Sequence, residues 1–180
     1  MDKLVLPTLI KEVKSVAAKA AMFQLEELHR FQSNDIVYKG RNDMVSYVDK
    51  QTEEMLIGAL SKLVPEAGIL AEEEGKKDNK SLQWVIDPLD GTTNYLHRLP
   101  VFSISIALRE NGKEILGLVH EVNKNECFYA WQNGGAYCNE EKIHVSSTDN
   151  LSSSLIATGF PYSLLDKTDN YFEIMKELLL

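Results

Sequence analysis

One short stretch, WVIDPLDGTTNYLH at residues 84–97, combines residue types that could act together chemically. Three apolar residues precede Asp87, and Asp90 follows three positions later. Two carboxylates held close together repel each other unless a cation lies between them, and a turn at Pro88 would bring them near enough to share one. Oxygen ligands suit Mg²⁺ or Mn²⁺ better than zinc, and the Leu89 carbonyl is a candidate third oxygen. The stretch therefore predicts a divalent metal site at the end of a strand.

The residues that follow these aspartates are suited to binding an anion. Gly91 lets the backbone approach a ligand closely, and Thr92 and Thr93 are residue types that commonly begin a helix or turn. Free N–H groups at such a turn would donate to whatever lies beside the metal, which is how many proteins hold phosphate. Metal on one side and amide groups on the other indicate a phosphoryl-binding site.

An acidic triplet, AEEEG at residues 71–75, lies one strand pattern before the aspartates. If that strand lies beside the strand that carries Asp87, then Glu72 or Glu73 reaches the same edge of the sheet. The alternative is a solvated charge run, which is what most acidic triplets are. The neighbouring aspartates favour the site.

Asp49 closes the segment DMVSYVD and precedes a helical pattern. An aspartate in that position can be an N-cap, which stabilises a helix by about 0.5–2 kcal/mol. It can also hold a hydroxyl or a water molecule in the site. One side chain can do both.

The elements that must position these residues follow from hydrophobic periodicity. Apolar residues recur at helical spacing from about residue 4 to residue 31, with a start near Pro7, and again from Val48 to Leu63, where Pro65 ends the pattern. Between the two helices, IVYKGRNDMVSYVDK predicts a short hairpin or two extended pieces around a Gly-Arg-Asn-Asp turn.

Short strand patterns follow the second helix. GILAEEEG and LQWVID come first, and VFSISIALRE, EILGLVHEV, ECFYAW and AYCN leave no room for crossover helices, so their pairing must be antiparallel. Another strand pattern, SSLIATG, precedes Pro161 and a last amphipathic helix from about Lys167. We therefore predict an α+β fold in which paired helices cover one face of a largely antiparallel sheet.

Composition and charge exclude several classes of protein. The 180 residues carry a formal net charge of −8, which argues against nucleic acid or an anionic membrane as the main partner because both attract basic surfaces. The two cysteines, Cys127 and Cys138, are too few for a disulfide framework or a zinc site, and we expect them to be reduced. With no membrane-span pattern and no clear signal-peptide cleavage site, we expect a cytoplasmic protein.

Together these motifs resemble the inositol monophosphatase family, within the lithium-sensitive, magnesium-dependent phosphatases. WVIDPLDGTTNYLHRLP is similar to the family's central signature, AEEEG to its upstream Glu-Glu element, and DMVSYVD to the segment with a further aspartate. Thr93, Asn94, Tyr95 and His97 favour this branch over two alternatives, the fructose-1,6-bisphosphatases and the 3'(2'),5'-bisphosphate nucleotidases. The resemblance covers nearly the whole chain and implies the first half of a layered αβαβα fold.

The resemblance also implies a role for each motif residue. The metal ligands would be Glu72, Asp87, Asp90 and the carbonyl oxygen of Leu89. The substrate would be bound by Glu72, Leu89, Asp90, Gly91 and Thr92. The residues that orient and activate the attacking water would be Thr92 and Asp49, with Glu73 as a supporting acid.

The activity implied by the resemblance is hydrolysis of a phosphate monoester, an inositol or related sugar or polyol monophosphate, by a metal-activated water molecule. The cofactor would be Mg²⁺, roughly two or three ions, with Mn²⁺ as a substitute and Li⁺ as an inhibitor. The expected partners are the small phosphorylated substrate and, in a homodimer, a second copy of the chain, with no nucleic acid and no membrane.

The end of the chain departs from the family pattern. YFEIMKELLL stops within an apolar helical pattern, and neither Trp84 nor Trp131 is followed by the aspartate of the family's Trp-Asp element, which belongs to a C-terminal α/β half. We interpret residues 1–180 as one N-terminal α+β domain that binds metal and phosphate, with that half absent. The alternatives are a truncated or non-catalytic fragment that still binds both, and a solvated acidic rim on an interaction module.

Overall fold

The computed structural model describes residues 5–30, 36–39, 43–71, 80–159 and 168–179. The helices are α1 Leu6–Arg30, α2 Tyr47–Leu63, α3 Thr92–Leu96 and α4 Thr168–Leu179. The strands are β1 Ile36–Lys39, β2 Asp43–Ser46, β3 Gly68–Ala71, β4 Leu82–Asp90, β5 Ser103–Glu110, β6 Lys113–Glu121, β7 Glu126–Trp131, β8 Gly135–Cys138 and β9 Glu141–Ile143. The chain divides into two compact units, Met1–His144 and Val145–Leu180.

Strands β3 to β9 form one seven-stranded sheet in sequence order. β3 pairs with β4 in parallel, every later neighbour pairs antiparallel, and β1 and β2 form a separate antiparallel hairpin. The predicted α+β class, the antiparallel pairing, the hairpin and the positions of the three longer helices are therefore confirmed. Among the described residues, none of the helices combines the length and the apolar content that crossing a bilayer requires.

The core of the first unit lies between the helix pair and one face of the sheet. α1 contacts α2, β6 and β7, and α2 contacts β4. Buried residues recur every three or four positions along the helices and every second position along the strands, as the two backbone periods require. They include Ile10, Val13, Ala17, Ala21, Leu56 and Leu60 in the helices and Trp84, Ile86, Ile104, Ile106, Leu108, Leu116 and Leu118 in the strands.

The strand predicted at SSLIATG is wrong. In the second unit, Leu151–Ser153 form a 3₁₀ turn capped by the side chain of Asn150, and residues 154–159 have no regular structure. Leu155 is fully exposed and Ile156 is half exposed. An apolar run becomes a strand only where a neighbour takes its backbone hydrogen bonds, and no described strand pairs with this segment.

The two cysteines are free, as predicted. Cys127 is buried and Cys138 is half-buried. Burial raises the pKa of the Cys127 thiol to about 11, so this side chain stays protonated and packs as a small apolar group.

A β-bulge in β4 sets the direction of the two aspartates. Asp87 pairs with Ser105 and Asp90 pairs with Ser103, so three steps along β4 match two steps along β5. Residues three apart in a regular strand point to opposite faces, and the extra residue returns Asp90 to the face of Asp87. The predicted turn is therefore a bulge within a continuing strand, because proline, which lacks an N–H, is tolerated at a bulge.

Gly91 joins β4 to α3 with a backbone conformation that other residues rarely adopt. Its φ of 95° and ψ of 34° are left-handed. A Cβ on Gly91 would lie 3.0 Å from the carbonyl oxygen of Val101 and 3.3 Å from Cα of Phe102. Both the positive φ and the lack of room for a Cβ favour glycine at this position. The chain can therefore turn directly from Asp90 into α3.

Replacing Gly91 by alanine should lower the free energy of unfolding more than the same change at Gly112. Both positions have positive φ, 95° and 80°, so both variants incur roughly 1–2 kcal/mol of backbone strain. Only at Gly91 does the new Cβ meet backbone atoms, since nothing lies within 4 Å of a Cβ at Gly112. Urea unfolding measures the difference, and equal losses would contradict the steric argument.

His120 is a buried titratable side chain on the core face of β6. It is 4% exposed, and its Nδ1 has no hydrogen-bond partner among the described residues. Burial lowers the pKa of His120 below its ordinary value, against a smaller opposing effect of the Glu121 carboxylate. Native His120 therefore gives up its proton more readily than a histidine in the unfolded chain does.

Folding stability should consequently fall as the pH drops below the ordinary histidine pKa of 6.5, because the unfolded chain binds a proton that native His120 does not. Urea unfolding at about pH 7.5 and about pH 5.5 measures the slope. His120→Gln should flatten it, whereas His144→Gln, at an exposed position, should leave it unchanged. A slope that survives in His120→Gln would refute the assignment.

Candidate active site

Two of the predicted metal ligands lie where β4 ends. Asp87 is half-buried, Asp90 is exposed, and Leu89 between them is 2% exposed. The Leu89 N–H donates to Oδ1 of Asp87 at 3.2 Å, and the Ser103 hydroxyl makes a long hydrogen bond of 3.5 Å to Oδ2 of Asp90. Each carboxylate is therefore oriented by a neighbouring donor, and the bulge places both on one face of the sheet.

Thr92 lies between the end of β4 and the start of α2. Its Oγ1 is 2.9 Å from the carbonyl oxygen of Leu89 and 3.3 Å from Oδ2 of Asp49. A threonine hydroxyl has one proton, so it donates to one of these oxygens at a time. The structure thus brings Thr92 and Asp49, which are 43 residues apart in sequence, into hydrogen-bond range.

Asp49 is 5% exposed and lies in the first turn of α2. The N-cap prediction for it is wrong, because the helix begins two residues earlier, at Tyr47. A carboxylate in a first turn is still stabilised by the positive end of the helix dipole. This position places the buried Asp49 carboxyl group 3.3 Å from the Thr92 hydroxyl.

The sequence patterns did not single out Gln24, which reaches the bulge from α1. Its side chain is completely buried, and Nε2 donates to the Pro88 carbonyl at 2.8 Å and lies 3.4 Å from Oγ1 of Thr52. The Tyr95 hydroxyl donates to the backbone carbonyl of Gln24 at 2.8 Å. The only signal in the sequence was a polar residue at a position where the helical pattern requires an apolar one.

Tyr95 anchors α3, the short helix that follows the aspartates. Its ring is fully buried and packs edge-on against Phe102, with 5.0 Å between the ring centroids. Burial, together with the charge of Glu27, raises the pKa of Tyr95 well above its usual range. The hydroxyl therefore remains a donor to Gln24 at any physiological pH.

Glu72 and Glu73, predicted as a metal ligand and a supporting acid, lie outside the described residues. The last described residue of β3, Ala71, pairs in parallel with Ile86, the residue before Asp87. The two strands that the prediction for Glu72 and Glu73 placed side by side are therefore paired, and the pairing is parallel.

The oxygen atoms that the described residues offer at this site are of the type that a hard divalent cation prefers. Asp87, Asp90 and the Leu89 carbonyl supply only oxygen atoms, which is the chemistry that Mg²⁺ prefers. No group of three or more His, Cys, Asp or Glu side chains able to hold a metal occurs within the described ranges, which exclude residues 72–79. Asp87, Asp90 and the Leu89 carbonyl would therefore need further oxygen ligands to complete the coordination of such a cation.

Comparison with curated proteins places these motifs in a family. The model of the inositol monophosphatase family matches residues 6–179. Nus factor SuhB of Escherichia coli K12 is 39% identical over 142 residues, 78% of this chain and 53% of that protein. Nus factor SuhB of Vibrio cholerae is 34% identical over 164 residues, 90% of this chain and 61% of that protein. The chain thus spans about half to three-fifths of the length of these relatives.

Solved structures give the same result. The extragenic suppressor protein suhB from Bartonella henselae superposes with a TM-score of 0.85 at 31% identity, covering 96% of this chain and 67% of that one. An inositol monophosphatase from Anabaena gives a TM-score of 0.82 at 32% identity, covering 97% of this chain and 64% of that one. On the family model, the sequence identities and the shared fold, the chain belongs to the inositol monophosphatase family.

Proposed function

We propose that this chain supplies the metal- and phosphate-binding part of a Mg²⁺-dependent phosphomonoesterase that acts on an inositol, sugar or polyol monophosphate. One observation carries the proposal. The bulge in β4 turns Asp87 and Asp90 to the same face, beside the hydrogen bond between Thr92 and Asp49. Family membership supports phosphatase chemistry of this type.

In this proposal the metal is held by Asp87, Asp90, the Leu89 carbonyl and Glu72. Bound Mg²⁺ would screen the charge of the phosphate, lower the pKa of a bound water and stabilise the leaving oxygen. Hydrolysis of phosphate monoesters is among the slowest uncatalysed reactions, so all three contributions are needed.

The chain's own residues would then position the water and the phosphate. When Thr92 donates its proton to Asp49, its lone pairs are available to accept a hydrogen bond from the attacking water. Glu73 would be a supporting acid. The amides of Gly91 and Thr92, at the start of a helix where N–H groups have no intrahelical acceptor, would donate to the phosphate oxygens. No covalent intermediate with the enzyme is required.

The choice of substrates for a test follows from the family's range. The solved structure of an IMPase/NADP phosphatase in complex with NADP and Ca²⁺ superposes with a TM-score of 0.73 at 26% identity. Phosphate on a ribose therefore belongs in the panel, beside inositol and sugar monophosphates. The panel also includes the substrates of the two alternative enzyme classes, a 3'(2'),5'-bisphosphate nucleotide and fructose 1,6-bisphosphate.

A second candidate function is metal and phosphate binding without turnover. The curated relatives carry the name Nus factor SuhB, which is not the name of an enzyme, and the chain covers 53% of the Escherichia coli protein. In this case the partner could be another macromolecule rather than a small phosphorylated substrate. The net charge of −8 still argues against direct binding of nucleic acid by this chain.

Asp90→Asn separates these functions, because it removes one charge from the proposed site and keeps the shape of the side chain. Release of inorganic phosphate from the panel should require Mg²⁺ and be inhibited by Li⁺. In this variant it should fall by at least the roughly 10- to 100-fold that is typical when a metal ligand's supporting partner is lost. Mn²⁺ binding, followed by electron paramagnetic resonance, should weaken in parallel. Asp149→Asn, an exposed aspartate, is the matched control and should change neither.

Each result has a definite meaning. Turnover retained in Asp90→Asn would contradict the metal assignment. Mn²⁺ binding that depends on Asp90, without turnover of any substrate by this chain or by a longer chain that contains it, would favour the second candidate. A folded chain that neither releases phosphate nor binds Mn²⁺ would contradict both candidates.

A further inference from the structure

We propose that Gln24 is a positioning residue for the proposed metal site, because it holds the Pro88 carbonyl inside the bulge and thereby keeps Asp87 and Asp90 on one face. The inference rests on the proposed function and goes beyond it, since it assigns a role to a helix residue that touches neither metal nor substrate.

The orientation of the Gln24 amide is fixed by its two neighbours. The Pro88 carbonyl, at 2.8 Å from Nε2, can only accept a hydrogen bond. Oγ1 of Thr52 donates its own proton to the Val48 carbonyl at 2.7 Å, so toward Gln24 it can only accept. The amide NH₂ group therefore donates one hydrogen to Pro88 and the other to Thr52. The hydrogen bond to Pro88, in the bulge, is the shorter of the two.

The other end of the same amide supports this role. Oε1 of Gln24 is buried and has no hydrogen-bond partner among the described residues. A buried acceptor left without a donor is destabilising, and a leucine or methionine would fill the same space without that loss. The donor that glutamine provides to Pro88 is the gain that offsets this loss.

The bulge needs this donor because of what a bulge does to the sheet. Two residues of β4, Pro88 and Leu89, lie opposite one residue of β5, so the ladder is interrupted where the Pro88 carbonyl lies. Pro88 is buried, so its carbonyl is removed from bulk water and needs a hydrogen-bond donor inside the protein. A slip to regular pairing would restore the ladder and turn Asp90 to the opposite face.

Gln24 also joins the other parts of the site. Its backbone carbonyl accepts from the Tyr95 hydroxyl, so one residue of α1 contacts the chain both before and after the segment 89–92. Its amide contacts Thr52, one helical turn after Asp49 in α2. A single buried residue, Gln24, therefore contacts the bulge, α3 and the first turns of α2.

Gln24→Met tests the inference, because methionine has nearly the same shape and no donor. Amide hydrogen exchange of residues 89–93, measured without metal, should accelerate about tenfold relative to the rest of the sheet. The dissociation constant for Mn²⁺, measured by electron paramagnetic resonance, should rise about tenfold or more. The matched control is Val13→Ala, a buried residue of the same helix, which lowers global stability and should change neither quantity.

Tyr95→Phe is the second variant, for the case in which Gln24→Met does not fold, and it removes the hydroxyl that donates to the Gln24 backbone carbonyl. It should accelerate exchange of the same segment and weaken Mn²⁺ binding to a smaller extent. Exchange and Mn²⁺ binding that both stay at the wild-type level in this variant would contradict the positioning role.

The results separate this inference from the proposed function. If the wild-type chain binds no Mn²⁺, the metal site fails, and hydrogen exchange alone decides whether Gln24 holds the bulge. If Gln24→Met behaves like Val13→Ala in exchange, or loosens the segment while binding Mn²⁺ as tightly as the wild type, the positioning role is refuted.

Discussion

A strand alternates its side chains at every residue, and the two aspartates of β4 are three residues apart. In regular pairing they would lie on opposite faces of the sheet and could not bind the same ligand. The single extra residue between Asp87 and Asp90 removes that conflict, since their partners Ser105 and Ser103 lie on one face of β5. Pro88 suits the bulge because it has no N–H to leave unpaired. The hydrogen bond from Gln24 of α1 to the Pro88 carbonyl is made at this local change of register.

The three aspartates around the bulge differ in how far they are exposed to solvent. Asp90 is exposed, Asp87 is half-buried, and Asp49 is 5% exposed. The exposed charge is screened by water, whereas each of the others needs nearby dipoles to remain ionised. The Leu89 N–H supplies one at Asp87, and the Thr92 hydroxyl and the start of α2 supply them at Asp49. The carboxyl groups of Asp87 and Asp49 therefore each have a hydrogen-bond donor from the protein within reach.

The sequence predicted those features that depend on periodicity and on local turn chemistry. The long helices, the hairpin and the antiparallel order follow from repeating apolar patterns. The bulge was not predictable, because it is defined by pairing with β5 and leaves no periodic signal in β4. Gln24 escaped notice for a similar reason: its role depends on contact with Pro88, 64 residues away. The prediction for SSLIATG was wrong for a different reason. The segment has the local pattern of a strand, but no described strand pairs with it.

The separations in sequence also bear on the order of folding. Strands β4 to β9 pair only with their neighbours along the chain, so this part of the sheet closes short loops and has a low entropic barrier. The contacts that define the candidate site span 43, 64 and 71 residues, from Thr92 to Asp49, from Gln24 to Pro88 and from Tyr95 to Gln24. We therefore expect the meander to form first and the docking of α1 and α2 to complete the site last. A partly folded chain would carry the aspartates of β4 without their orientation, so ligand affinity would appear only with the final step and would itself pull folding to completion.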